Sequence, residues 1–85
     1  MKVIKISAMW CPGCLSMHKV WDKIRLEFPM LEIEEYDYDM DEEIVETFNV
    51  GNILPVTILM DNNQEVDRLV GEKSFEEIKE FIERK

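Results

Sequence analysis

The spacing of apolar and polar residues changes rhythm seven times along these 85 residues, and each change marks an element. Val3 to Ala8 is apolar and β-branched except at Lys5 and Ser7, which is the pattern of a buried strand. Cys14, Met17, Val20, Trp21, Ile24 and Phe28 then fall at helical spacing, and Pro29 stops that helix. Leu31 to Tyr38 alternates, with Leu31, Ile33 and Tyr36 set against Glu32, Glu34 and Asp37. Its phase slips near Glu34 and Glu35. Asp39-Met40-Asp41 offers an N-cap to a helix whose apolar face holds Ile44, Val45 and Phe48, and residues 49–52, with Gly51, break it. Pro55 to Met60 reads as a buried strand, Asp61 to Gln64 as a turn, and Glu65 to Val70 as the partner strand, ended by Gly71. Ser74 with Glu77 forms a capping box for a last helix with Phe75, Ile78, Phe81 and Ile82 on one face.

The order is β-α-β-α-β-β-α, an α/β fold in a single domain over residues 1–85. Helices between the first three strands imply parallel crossovers, and the terminal hairpin adds an antiparallel strand. A mixed four-stranded sheet with helices on both faces is the economical packing.

Charge narrows the partners. The net charge of −9, from 19 acidic and 10 basic residues, makes nucleic acid a poor partner, because its phosphates would be repelled. Solubility of a small domain accounts for the acidic surface. The longest apolar run is far too short to cross a bilayer, so no membrane association is expected. Lys5 interrupts the N-terminal apolar stretch and no small-residue cleavage site follows, so a signal peptide is not expected and the cytoplasm is the inferred location. In a reducing cytosol a lone Cys-x-x-Cys reads as a working redox pair rather than a structural staple.

Trp10-Cys11-Pro12-Gly13-Cys14 carries that pair. On a first helical turn, residues i and i+3 share a face and two sulfurs come within bonding distance. Unpaired N–H groups and the positive dipole end at a helix start favour a thiolate. Cys11, nearer the helix start, is expected to be the more exposed, attacking thiolate, and Cys14, one turn in, the more buried, resolving thiol. A four-cysteine zinc site cannot form within one chain, and His18 leaves a mixed site one ligand type short, so neither metal nor cofactor is expected. His18, four residues after Cys14, is read as a surface histidine before a base for Cys14. Trp21 sits at core spacing, and the six methionines read as gap-fillers. Asp37, Asp39, Asp41, Glu42 and Glu43 lack the glycine and terminal glutamate of a calcium loop and read as a solvated helix entrance.

With these residues in place, the chain resembles the thioredoxin superfamily in its minimal form, from about Val3 to Ile82. Trp-Cys-Pro-Gly-Cys follows the first strand as the family's Trp-Cys-x-x-Cys does. Leu54-Pro55 precedes the third strand, where the family keeps a cis proline. Val70-Gly71, Ser74 and the final amphipathic helix match the end of the family's domain. Full-length thioredoxins begin with a further strand and helix, which makes this chain closer in size to a glutaredoxin, and the inner dipeptide Pro-Gly reverses thioredoxin's Gly-Pro. The resemblance implies a thiol–disulfide oxidoreductase that reduces protein disulfides through a mixed disulfide. It implies re-reduction by a flavoprotein of the thioredoxin reductase kind. Glutathione, as for a glutaredoxin, is the alternative donor, and a non-catalytic binding module is the alternative from another class. It also implies a substrate groove formed by Trp10, Pro12, Leu54, Pro55 and Val70, with Met9 and Ile53, in which Pro55 is cis and turns the Leu54 backbone outward. Thioredoxins keep a buried acid at the position of Lys5 and a lysine at that of Glu35, so the pair looks charge-swapped. Either Lys5 snorkels to the surface, or it meets Glu35 beneath Cys14 and one of them relays that cysteine's proton.

Overall fold

The computed structural model describes residues 1–84. Its elements are β1 (Lys2–Ser7), α1 (Pro12–Ser16), α2 (His18–Glu27), β2 (Glu32–Asp37), α3 (Glu42–Thr47), β3 (Val56–Asp61), β4 (Gln64–Val70) and α4 (Phe75–Glu83). The strands form one mixed sheet in the order β2-β1-β3-β4. β1 pairs in parallel with β2 and antiparallel with β3, and β3 pairs antiparallel with β4.

Alternation along β1 divides the core between the two faces of the sheet. Ile4 and Ile6 pack with Val56, Ile58, Met60, Leu54 and the two cysteines, and Ile44, Val45 and Phe48 around α3 cover that face. Val3 packs on the other face with Leu59, Met17, Trp21 and Ile24, and with Ile78, Phe81 and Ile82 of α4. The irregular phase of β2 has the same cause. Ile33 packs on the α2/α4 face and Tyr36 on the α3 face, so a strand covered on both sides has no single apolar register.

Two expectations are corrected. The helix after the dithiol is broken at Met17, which ends α1 and starts α2. The β2-to-β3 connection is not a parallel crossover, since β3 runs antiparallel to β1. A parallel return would have to retrace a six-residue strand, about 20 Å. The chain instead enters β3 at Val56, opposite Ile6, at the same end of the sheet where β2 leaves off at Asp37.

Local signals close the fold. Asn62 and Asn63 hold positive φ angles of 52° and 65°, the two-residue hairpin geometry that suits asparagine. The Ser74 hydroxyl accepts from the Glu77 N–H at 3.2 Å, and Glu77 returns the bond to the Ser74 N–H at 3.3 Å. Removing that cap in Ser74→Ala is expected to cost about 1 kcal/mol. Truncating the fully buried ring in Phe81→Ala is expected to cost about 3–5 kcal/mol. Urea unfolding followed by circular dichroism measures both, and equal losses for the two variants would contradict this assignment of the core.

Candidate active site

β1 ends at Ser7 and delivers the chain to a tight entry loop, where the Cys11 N–H donates to the Ala8 carbonyl at 3.2 Å. Cys11 is the N-cap of α1, with extended backbone (φ −93°, ψ 112°), and Pro12 begins the helix where its missing N–H costs nothing. A cysteine in that position does what a serine cap does. Its Sγ accepts from the Cys14 N–H at 3.3 Å, so a backbone donor of the first turn points at the sulfur.

A second segment reaches the sulfur from the far side. The Leu54–Pro55 peptide bond is cis, and the Leu54 carbonyl accepts from the Cys11 thiol at 3.5 Å. The Leu54 carbonyl thus faces the Cys11 sulfur. The third segment follows β4. The Gly71 N–H donates to the Pro55 carbonyl at 2.8 Å, and Glu72 lies beside the motif, where its carboxylate accepts from Ser16. A Cβ at Gly13 would lie 3.4 Å from that of Glu72 and 3.7 Å from Pro55 Cδ, in contact with both neighbouring segments.

The two cysteines are unbonded, and they are equally covered, at 5% and 6% exposure. The expectation that Cys11 is the more exposed is not met, because Leu54 screens it as fully as the core screens Cys14. What separates them is electrostatic. Burial first, then the hydrogen bond with Cys11, push the Cys14 thiol up to about 12, against the opposing pull of the Ala8 backbone and the charge of Lys5. Cys14 thus holds its proton at neutral pH.

Around the buried sulfurs the surface is apolar. Met9, Trp10, Leu15, Ile53 and Val70 are all exposed. Trp10 is fixed by a 2.8 Å hydrogen bond from Nε1 to Asp39 and by an edge-on contact with Tyr38, its centroid 6.2 Å away. The anchoring role of Asp39 was not visible in the sequence, where it read as part of a solvated cluster. The rest of that cluster builds the turn before α3: Asp37 accepts from the N–H groups of Asp39 and Met40, and Asp41 from that of Asp37. Asp41 stands at the helix N-cap without a side-chain cap bond.

Lys5 lies opposite Glu35 in the β1–β2 register, with Nζ 3.0 Å from the carboxylate and 5.0 Å from the centre of the Trp21 ring. It is 6% exposed, so it does not snorkel. Behind the dithiol opens a cleft of about 480 Å³ whose walls include Cys14, His18 and Glu35. His18 is exposed at its rim.

With this geometry in view, the sequence matches the family model described as Thioredoxin over residues 1–84. The chain belongs to the thioredoxin family. It is 33% identical over 82 residues to thioredoxin H5 of Oryza sativa subsp. japonica, covering 96% of this chain and 59% of that protein. It is 29% identical over 82 residues to a thioredoxin of Chlamydia muridarum, covering 96% and 79%. Among solved structures, that of Fasciola hepatica thioredoxin superposes with a TM-score of 0.90 at 26% identity, over 98% of this chain and 78% of that one. The chain thus spans under two thirds of the rice protein and about four fifths of the others. Thioredoxins are thiol–disulfide oxidoreductases, and the pairing of Cys11 with Cys14 at a helix start is the part of the fold that such chemistry requires.

The unequal thiols of this thioredoxin set an expectation. Iodoacetamide at about pH 7.5 should add one group per chain, on Cys11, because alkylation needs a thiolate. Cys14 should react more slowly than Cys11, because burial and the neighbouring sulfur hold its proton. Peptide mass mapping reads the site, and equal labelling of both cysteines at neutral pH would contradict the asymmetry.

Proposed function

We propose that this thioredoxin-family chain reduces protein disulfides by a two-step exchange at Cys11 and Cys14. The Cys11 thiolate attacks one sulfur of a client disulfide. The client S–S bond breaks, its other sulfur leaves as a thiolate, and Cys11 becomes joined to the client. Cys14, once deprotonated, attacks Cys11 Sγ, releases the second client thiolate and leaves a Cys11–Cys14 disulfide. Two electrons have passed to the client, whose thiolates take up protons from water. The observation that carries this reading is the Cys14 N–H aimed at Cys11 Sγ, with a second thiol one turn away that keeps its proton.

The exposed apolar side chains of Trp10, Ile53 and Val70 offer a client a place to bury nonpolar surface beside the sulfurs. Pro12, Leu54 and Pro55 line the approach. Reduction of the resulting disulfide needs an electron donor, and a thioredoxin reductase-type flavoprotein fits the family. A reducing compartment such as the cytoplasm suits this cycle. Among the described residues no helix is long and apolar enough to cross a membrane.

Insulin reduction followed by turbidity tests the cycle. Cys11→Ser is expected to lose activity on the order of a hundredfold or more. Cys14→Ser is expected to stop at the mixed disulfide, visible as a client adduct on Cys11 by mass spectrometry. Recycling of the oxidised protein is expected with thioredoxin reductase and NADPH, and a faster reaction with glutathione would move it to the glutaredoxin type. A Cys11→Ser variant with full activity would end the proposal.

A further inference from the structure

Lys5 is the one charged side chain among the described residues that the core buries, and it occupies the strand that leads to the dithiol. The residue opposite it on β3 is Thr57, whose hydroxyl is buried and has no hydrogen-bond partner among the described residues. Every other buried position of β1 and β3 is apolar. Packing alone would extend that pattern, since a buried charge and an unsatisfied hydroxyl both cost stability. The partner of Lys5, Glu35, lines the same cleft as Cys14, and the polar layer is to be explained by that neighbour.

We propose that Lys5 is a fixed cation that stabilises Cys14 as a thiolate while Cys14 attacks the mixed disulfide, and that Glu35 is the positioning residue that holds it. This deepens the proposed dithiol cycle and rests on it. The released proton passes to water in the open cleft that Cys14 lines. No carboxylate has to accept it. The step balances as written above: the Cys14–Cys11 bond forms, the Cys11–client bond breaks, and the client sulfur leaves with the electron pair.

The cation acts at that stage because its ammonium is held 3.0 Å from Glu35, at the wall of the cleft that Cys14 also lines. In the dithiol, the hydrogen bond with Cys11 and the charge of that cysteine both help to keep Cys14 protonated, after burial. Both vanish when Cys11 Sγ is tied to a client. The attraction of Lys5 remains, because Lys5 is anchored by Glu35 at 3.0 Å and by the Trp21 face, and neither contact involves the cysteines. The titratable groups that face Cys14 are Cys11 from its own helix start, Lys5 from β1, Glu35, Tyr36 and Asp37 from β2, His18 from α2 and Asp41 from the turn before α3. Lys5 is the one basic side chain among them that the core buries.

A cation and a carboxylate base predict opposite results when Glu35 is neutralised. Stopped-flow reaction of the reduced protein with 5,5′-dithiobis(2-nitrobenzoate) separates the two steps. Attack by Cys11 releases a first thionitrobenzoate, and attack by Cys14 on the Cys11 adduct releases the second. In Lys5→Met the pH midpoint of the second phase is expected to rise by about one unit. Its rate near neutrality should then fall about tenfold, one unit being tenfold in thiolate fraction. Lys5→Arg keeps the charge and is expected to restore the midpoint. Glu35→Gln removes the anion facing Lys5 and is expected to lower the midpoint. A merely structural role would leave the midpoint in place in all three. A Lys5→Met second-phase profile that superimposes on the parent's overturns the cation role while leaving the dithiol cycle intact. A slower second phase in Glu35→Gln overturns it in favour of a carboxylate base. A parent protein without a first phase removes the dithiol reading and the proposal together.

Discussion

β1 is flanked by strands on both edges and helices on both faces, and that enclosure sets the terms for everything else in the molecule. Val3, Ile4 and Ile6 are almost without solvent contact, so the strand can move only with the whole core. Its C-terminal end presents Ala8 and, three residues on, Cys11. β3 pairs with it in antiparallel register, so Leu54-Pro55 arrives at the same end of the sheet, and β4 returns Gly71 and Glu72 there. Three chain segments distant in sequence thus meet at one sulfur because each is tied to the same rigid strand, directly or through one neighbour. The site is held by the core and not by its own loops.

Within that frame Cys14 is kept protonated by burial first and then by its hydrogen bond with Cys11. Cys11 sits where the helix has backbone donors to spare, and it takes one of them, from Cys14. Cys14 sits one turn deeper, where burial and the neighbouring sulfur both favour its neutral form. Unequal environments suit a pair that must exchange roles. The same few ångströms contain a nucleophile and a reserve thiol, and bond formation at the first changes the surroundings of the second.

Much of this was legible in the sequence because the relevant signals are local. The capping box at Ser74, the asparagine turn and the dithiol at a helix start each depend on residues a few positions apart. The pairing of Lys5 with Glu35 was legible for a different reason: the resemblance to thioredoxins, which keep an opposed acid and lysine at those positions, pointed to it. The signals that failed were tertiary. The direction of β3 depends on which end of the sheet the residues between Asp37 and Val56 return to, which alternation does not report. The screening of Cys11 comes from Leu54, 43 residues away, and the anchor of Trp10 from Asp39, 29 residues away. The apparent phase slip in β2 is a further case. A strand buried from both sides carries two overlapping patterns, and only the helices above and below tell them apart.

A lysine in the sheet asks for an explanation that stability does not give. Moving an ammonium from water into a protein interior costs several kcal/mol, and a partner half exposed to water, as the Glu35 side chain is at 51%, repays only part of that. The Trp21 face repays a further part. A leucine or isoleucine at position 5 would match the Val3 and Leu59 already on that face and remove the cost altogether. Thr57 raises the same question at the adjoining position, with a hydroxyl that valine would replace without loss of packing volume. Two neighbouring departures from an otherwise apolar layer, one of them paired with a carboxylate that lines the cleft of Cys14, are hard to explain as independent accidents of packing. They are coherent if the layer is there to set the charge state of that cysteine, with stability given up locally at the one place in the core where chemistry needs a field.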